Sequence, residues 1–325
     1  YTSMWSIDSS DVTSPFFVKS APTPTVANKL SAVLDLSAFT VGNSYTIRLS
    51  ATDSAGVSSF TTISLTMNEA PGSGAVAVTP SKGVALSTPF SFAALGWVDE
   101  DLPLSFRFGT VPVNDDLSLN LDSAAPFGDV RSSAFMDGVA LPPSAHALNY
   151  TVGCFSEAVD TFGASGLAAD VVRVMPYSVS LAKLSNASRT KAAEAIDSGN
   201  ADAAKQVLSA TLGSIASATD GSRRRQLLGT PGAGSADLRA SVLESLWNTY
   251  AITPVTQADV ASLLTVLASV VDTPGEVTLP VAESSMLFLK TVLEASQEAA
   301  VGISPVGAAT AGTALLHLFE TPLFN

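Results

Sequence analysis

Cysteine, histidine and charge are the scarce features of this 325-residue chain. One cysteine and two histidines exclude a Cys or Cys/His metal site and a two-cysteine redox motif. A hydrolase would have to draw its base from His146 or His317, and no Gly-x-Ser-x-Gly, His-Glu-x-x-His or phosphate-loop pattern accompanies either. The chain is therefore read as non-catalytic. Charged residues make up 14%, against about 25% of an ordinary soluble chain, so Ser, Thr, Ala and Gly must cover much of the surface. The balance is also lopsided: 16 basic against 29 acidic side chains give a net charge of −13, and Arg223, Arg224 and Arg225 form the one basic cluster. Such a chain repels a phosphate backbone, which excludes nucleic acid as a partner. No stretch approaches the roughly 18 uninterrupted apolar residues of a membrane span, and Tyr1 to Asp8 do not read as a signal peptide. Membrane attachment is expected only through segments outside this chain.

What is present is apolar and periodic. With 46% hydrophobic residues the chain is not disordered, and its length implies two or three domains. Residues 1 to about 175 carry β-branched and aromatic runs broken by Pro, Gly, Asn and Asp, the pattern of an all-β segment. Tyr45, Ile47, Leu49 and Ala51 alternate with polar residues, Asp53-Ser54-Ala55-Gly56 supplies a turn, and Val57, Ser59, Thr61, Ile63, Leu65 and Met67 alternate on the way back. A similar unit recurs from Asn149-Tyr150-Thr151-Val152 through Asp160-Thr161-Phe162-Gly163 to Met175-Pro176. The recurrence predicts two tandem β-sandwiches, with Tyr45 and Tyr150 as candidates for a hydroxyl that bonds back to the preceding corner. Ahead of the first hairpin only Met4-Trp5-Ser6-Ile7 and Leu30 to Leu36 read as strands. The first sandwich is thus expected to lack its opening strands, and the chain to be a piece of a longer polypeptide. The second is fuller, with seven or so strands: Val76 and Val78; Phe90 and Phe92; Leu104, Phe106 and Phe108; and Leu117, Leu119 and Leu121 all keep a period of two. Cys154 reads either as a buried thiol on a strand or as half of a disulfide to a cysteine outside this chain.

Beyond Pro176 the period changes to that of helices. Ala204, Val207, Leu208, Thr211, Leu212 and Ile215 follow i, i+3, i+4 spacing, as do Leu238, Val242, Leu246, Trp247 and Tyr250. Thr256 with Asp259 announces a capped helix through Val260, Leu263, Leu264 and Leu267. Pro280 suits a first turn, ahead of a buried stripe of Met286, Leu289, Val292 and Leu293. Met286 and Trp247 are taken as core fillers. The fold class is accordingly multidomain, β then α: an incomplete β-sandwich over 1–70, which the resemblance described below makes fibronectin-III-like, a second sandwich over 71–176, and an all-helical bundle over 177–325 with a disordered loop near 218–236.

Four groups of residues are candidates for chemistry. Asp99, Glu100 and Asp101 lie in a loop between apolar strands, and Asn114, Asp115 and Asp116 in another. Carboxylates gathered on sandwich-end loops can hold calcium through six to eight oxygens; alternatively, Asp99 and Asp101 cap backbone amides in a turn with Trp97 packed below. Calcium is the one cofactor the sequence suggests. Asn149-Tyr150-Thr151 and Asn186-Ala187-Ser188 are glycosylation sequons. Arg223-Arg224-Arg225 offers either a processing site for a basic-specific protease or a solvated charge run.

The stretch Asn68-Glu69-Ala70-Pro71, Ala85-Leu86-Ser87-Thr88 and Gly96-Trp97-Val98-Asp99-Glu100-Asp101-Leu102-Pro103-Leu104 resembles the REJ (receptor for egg jelly) module of polycystin-1-like proteins. That module is built of fibronectin-III-like sandwiches, and its Gly-Trp-x-Asp-x-Asp-x-Pro-Leu run after an Ala-Leu-x-Thr strand is filled here at each position. The helical third is similar to the helical half of a GAIN domain, which follows the module in those proteins. The Cys- and Trp-containing self-cleavage motif of a full GAIN domain is absent at His317-Leu318-Phe319, so no autoproteolysis is implied. The resemblance implies a surface receptor or channel-associated segment on the extracellular side of the plasma or ciliary membrane. It would act in adhesion, ligand sensing or force transmission, with an extracellular protein or glycan as ligand and a polycystin-2-type channel as neighbour. A structural glycoprotein of an extracellular filament or cell wall is the alternative.

Overall fold

The computed structural model describes residues 1–8, 32–219 and 233–320, and no described helix is long and apolar enough to cross a membrane. Two compact units divide the chain: Tyr1–Ala70 with Phe162–Ala164, and Pro71–Thr161 with Ser165–Asn325.

In the first unit β1 (Thr2–Asp8), β2 (Ser44–Thr52) and β3 (Ser58–Thr66) form an antiparallel sheet in that order. The hairpin closes as the sequence predicts: the Asp53 carboxylate accepts from the amides of Ala55 (2.8 Å) and Val57 (2.9 Å), and Gly56 takes the left-handed φ of 82° that side chains resist. Trp5 and Ile7 of β1 stand opposite Leu49 and Ile47, so alternation gathers them on one face with Tyr45. Tyr45 is buried, its ring edge-on to Phe39 at 4.8 Å, and its hydroxyl accepts from the Thr40 amide at 2.8 Å, the predicted corner bond. Of the strand expected over Leu30 to Leu36, Leu30 and Ser31 lie outside the described residues, and its end gives way to a 3-10 turn over Leu36–Ala38, where the Asp35 carboxylate draws the Ser37 amide into a local turn.

The second unit begins with a sandwich of eight strands. β5 (Lys82–Val84), β11 (Ser165–Met175), β10 (Thr151–Val159), β7 (Ser105–Val111) and β8 (Ala125–Pro126) form one sheet, in that order; β4 (Ala75–Thr79), β6 (Phe90–Leu95) and β9 (Phe135–Val139) form the other. Val76, Val78, Phe90 and Phe92 of the smaller sheet meet Phe108, Val152, Val172 and Val174 of the larger in one core. Central β10 is buried along most of its length, Cys154 and Phe155 alike, which is why its sequence lacks clean alternation. Leu117, Leu119 and Leu121, expected as a strand, form a loop instead. Asn114 and Asp116 tie down Ser118 there, Leu117 takes a positive φ, and only a single bridge from Val113 to Leu119 remains.

Six helices follow among the described residues: α1 (Leu181–Asp197), α2 (Ala201–Thr219), α3 (Ala233–Ile252), α4 (Gln257–Val270), α5 (Leu279–Glu298) and α6 (Pro305–Phe319). Helix thus reaches Thr219 and resumes at Ala233, inside the stretch expected to be a loop. Thr256 caps α4 through the Asp259 amide (3.2 Å) and also donates to its carboxylate (2.8 Å). Pro280 sits in the first turn of α5 as predicted. Met286, however, is 39% exposed, and the inward stripe is Val281, Ala282, Ser285, Phe288, Leu289 and Val292. The run Met286-Leu287-Phe288-Leu289 allows either phase, and the larger Phe288 ring wins the core by packing edge-on to Trp247 (4.9 Å) and Tyr250 (5.8 Å).

The predicted boundary near 176 falls between β11 and α1, yet sandwich and helices share a single hydrophobic core running from Val76 to Leu318. α4 packs beside the edge strand β8. Gly213 of α2 lies so close to the Pro142-Pro143 loop that a Cβ there would sit 2.9 Å from the Pro143 ring. Within the bundle, buried Arg239 donates to the carbonyls of Ser269 (3.0 Å) and Val270 (2.7 Å) and pairs with Asp272 (2.8 Å) and Glu276 (3.3 Å). One guanidinium thereby satisfies the open C-terminal end of α4.

Candidate functional site

The Gly-Trp-x-Asp-x-Asp run occupies one end of the second sandwich, and its residue types follow from packing. Gly96 ends β6 with a φ of 65°, which turns Trp97 back over the strands. A Cβ on Gly74 or Gly166 would collide with the indole, so both positions are open for the ring. Val98 then exchanges two backbone hydrogen bonds with Gly72, both of 3.0 Å. Beyond it the Asp99 carboxylate accepts from the Asp101 amide at 2.6 Å, the turn-capping role that was one of its two expected roles.

The carboxylates of Asp99 and Asp101 are joined by Asp160, and oxygens of the three lie within 4.8 Å of one another. Glu100, expected with Asp99 and Asp101, is not one of the three and is exposed. Asp160 comes from the turn of the β10–β11 hairpin, sixty positions away in sequence, and is only 6% exposed. Desolvation, followed by the charges of Asp99, Asp160 and Glu100, raises the pKa of Asp101 above the ordinary carboxyl value. Three converging carboxylates are a donor set for a hard, oxygen-seeking cation, and they fit calcium better than any softer metal. The second acidic loop behaves differently. Asp116 accepts from both the amide (2.9 Å) and the hydroxyl (2.6 Å) of Ser118, which hold its pKa below the ordinary value.

A second feature of this unit has no counterpart in the sequence patterns. Lys205 of α2 is buried between Asp259 of α4 (2.5 Å) and Asp202 (3.0 Å), and Asp202 also pairs with Arg131 from the loop before β9 (3.3 Å). Gly128 makes room for this contact, since a Cβ there would strike the Asp202 carboxylate. Sandwich, α2 and α4 are therefore tied by one chain of charges. Stranding a buried partner of such a chain costs about 3–5 kcal/mol.

The remaining candidates are spread over the surface or the core. Asn149 is exposed with a left-handed φ of 52° just ahead of β10. Asn186 is exposed on α1, while Ser188 of the same sequon is buried and accepts from the Thr211 hydroxyl at 2.8 Å. Arg223, Arg224 and Arg225 lie outside the described residues. His146 packs edge-on to Tyr150 at 5.4 Å, and His317 belongs to α6. Cys154 is wholly buried, and desolvation pushes its thiol pKa far up, which leaves it inert.

No curated protein matches the chain. A family model described as the REJ domain matches residues 1–210, from the first sheet through the whole second sandwich into α2, well over half of the length. The helices beyond residue 180 are consistent with the GAIN-like part expected to follow such a module. The chain belongs to the REJ domain family, whose modules are non-catalytic, receptor-type extracellular parts of polycystin-1-like surface proteins.

Proposed function

We propose that this segment transmits force at the extracellular surface, passing load from an adhesive contact toward the membrane-bound remainder of a polycystin-1-like receptor. The observation that supports the reading is the single core shared by sandwich and helices, cross-tied by Arg131, Asp202, Lys205 and Asp259. Under tension a shared core yields as one body, whereas separately folded beads yield one at a time. The ligand at the far end is an extracellular protein or glycan, and a polycystin-2-type channel, on the plasma or ciliary membrane, is the neighbour that would feel the load. Calcium at Asp99, Asp101 and Asp160 would brace the sandwich end. Glycans at Asn149 and Asn186 and cleavage after Arg223–Arg225 belong to the same extracellular picture.

Single-molecule pulling on the full chain tests the proposal. Residues 71–325 are expected to extend in one step of roughly 80–90 nm at about 3.5 Å per residue, after a weaker event from the first unit. Separate steps of roughly 35 and 50 nm, sandwich apart from bundle, would overturn it.

A further inference from the structure

α6 carries no Asp, Glu, Lys or Arg in a chain whose net charge is −13. Its inward seam, Gly307, Ala311, Ala314 and Leu318, is buried and packs chiefly on α4. On the opposite side Pro305, Ala309, Gly312, Leu316 and Phe319 recur at alternating spacings of four and three, the interval of a helix-pairing seam, and all five are exposed. Leu316 is 57% exposed and Phe319 62%.

Gly312 makes this face more than a bare apolar surface. Glycine inside a helix lowers its stability relative to alanine, so each one calls for a compensating contact. Elsewhere in the helices the contact is visible: a Cβ on Gly213 would press on Pro143, one on Gly234 on Leu181, and one on Gly307 on Ile303 and Ser304. A Cβ on Gly312 would meet nothing within 4 Å. No contact within the described chain accounts for it, and a backbone approached from outside would.

Size along the seam says what approaches. Ala309 and Phe319 lie five residues before and after Ala314, and Gly312 and Leu316 lie two before and after it. Two copies of α6 laid antiparallel about that level place each small residue opposite a large one: Ala309 against Phe319 and Gly312 against Leu316, then the same pairs again by symmetry. Small residues also let the helix axes approach closely. The missing charge has a purpose in such a contact, because two acidic molecules meet most cheaply over a surface that carries none. We infer that α6 is a homotypic docking helix through which two copies of this chain associate antiparallel, with Leu316 and Phe319 seated over Gly312 and Ala309 of the partner. One helix pair buries less than the roughly 1,200 Å² of stable interfaces, so the association is weak and concentration-dependent.

Disulfide trapping reads both the contact and its register. Gly312→Cys and Leu316→Cys would be introduced separately into the full chain; Cys154, buried and inert, stays in place. Mild oxidation of an equimolar mixture is expected to yield at least about five times more cross-linked dimer than either variant alone, because only the mixture juxtaposes the two thiols at close range. Adding Phe319→Lys to both variants should remove that excess, with the circular-dichroism melt unchanged because the residue is exposed. Equal cross-linking in all three samples, or none, overturns the proposal. So does a chain that sediments as a monomer at several hundred micromolar, even if another protein is later found on this face.

Discussion

In the β2–β3 hairpin the half-buried Asp53 accepts from two amides of its own turn; in β10–β11 Asp160, at the matching place, is buried, with its carboxylate close to those of Asp99 and Asp101. Both turns use a glycine at positive φ, Gly56 and Gly163. Both pairs of strands run nine residues in unbroken antiparallel register. Their surroundings are opposite. β3 is exposed at almost every position, while β10 lies at the centre of a five-stranded sheet and is buried along most of its length. Turn chemistry decides that a hairpin forms, and neighbours decide what the hairpin is worth to stability.

The largest effect should expose that difference directly. Phe155 is fully buried on β10, its ring lying over the bare backbone of Gly109, and Phe155→Ala is expected to cost about 3–5 kcal/mol. Ile63, on β3, is 62% exposed, and Ile63→Ala should stay within about 1 kcal/mol. Urea unfolding read separately for the two units would measure both, and similar losses would break the comparison. A middle-sized effect sharpens it from the other side. Tyr45→Phe deletes the hydroxyl that accepts from Thr40 and should cost about 1 kcal/mol. Only the transition of the first unit should move; a shift of the second unit's transition would mean that the two unfold together.

The same contrast explains what the sequence discloses. Hairpins are legible because Asp53 with Gly56, and Asp160 with Gly163, act within a few residues of themselves. The Thr256 cap and Pro280 are legible for the same reason. Asp160 as the third carboxylate is not, since nothing local says that a turn aspartate will lie beside the acids of another loop. Periodicity passes over α1 because its buried stripe is Leu184, Ser188, Ala192 and Ala195, too small and polar to stand out. It misplaces Met286 where four apolar residues in a row leave the phase open. The composition change at Pro176 marks a switch of secondary structure, while the shared core and the Lys205 charges depend on residues far apart in sequence.

The smallest effect concerns the two acidic loops, whose carboxyls are shifted in opposite directions. Asp101 has a raised pKa in the folded chain, so it holds its proton more tightly folded than unfolded. Protonation therefore favours folding, and stability declines as pH rises from the ordinary value of 3.8 through the raised one. Asp116, held down by Ser118, contributes stability above the ordinary value that is lost as pH falls through its depressed one. At neutral pH Asp101→Asn should raise the melting temperature of the second unit slightly in a chelator, whereas Asp116→Asn should lower it. Calcium reverses the first sign, because a cation among Asp99, Asp101 and Asp160 turns their repulsion into ligation. In millimolar calcium the native chain should then melt higher than in chelator, and Asp101→Asn should remove that gain. Identical melting of the native chain in both media would leave Asp160 differing from Asp53 only in burial, with no ligand to explain why three carboxylates converge.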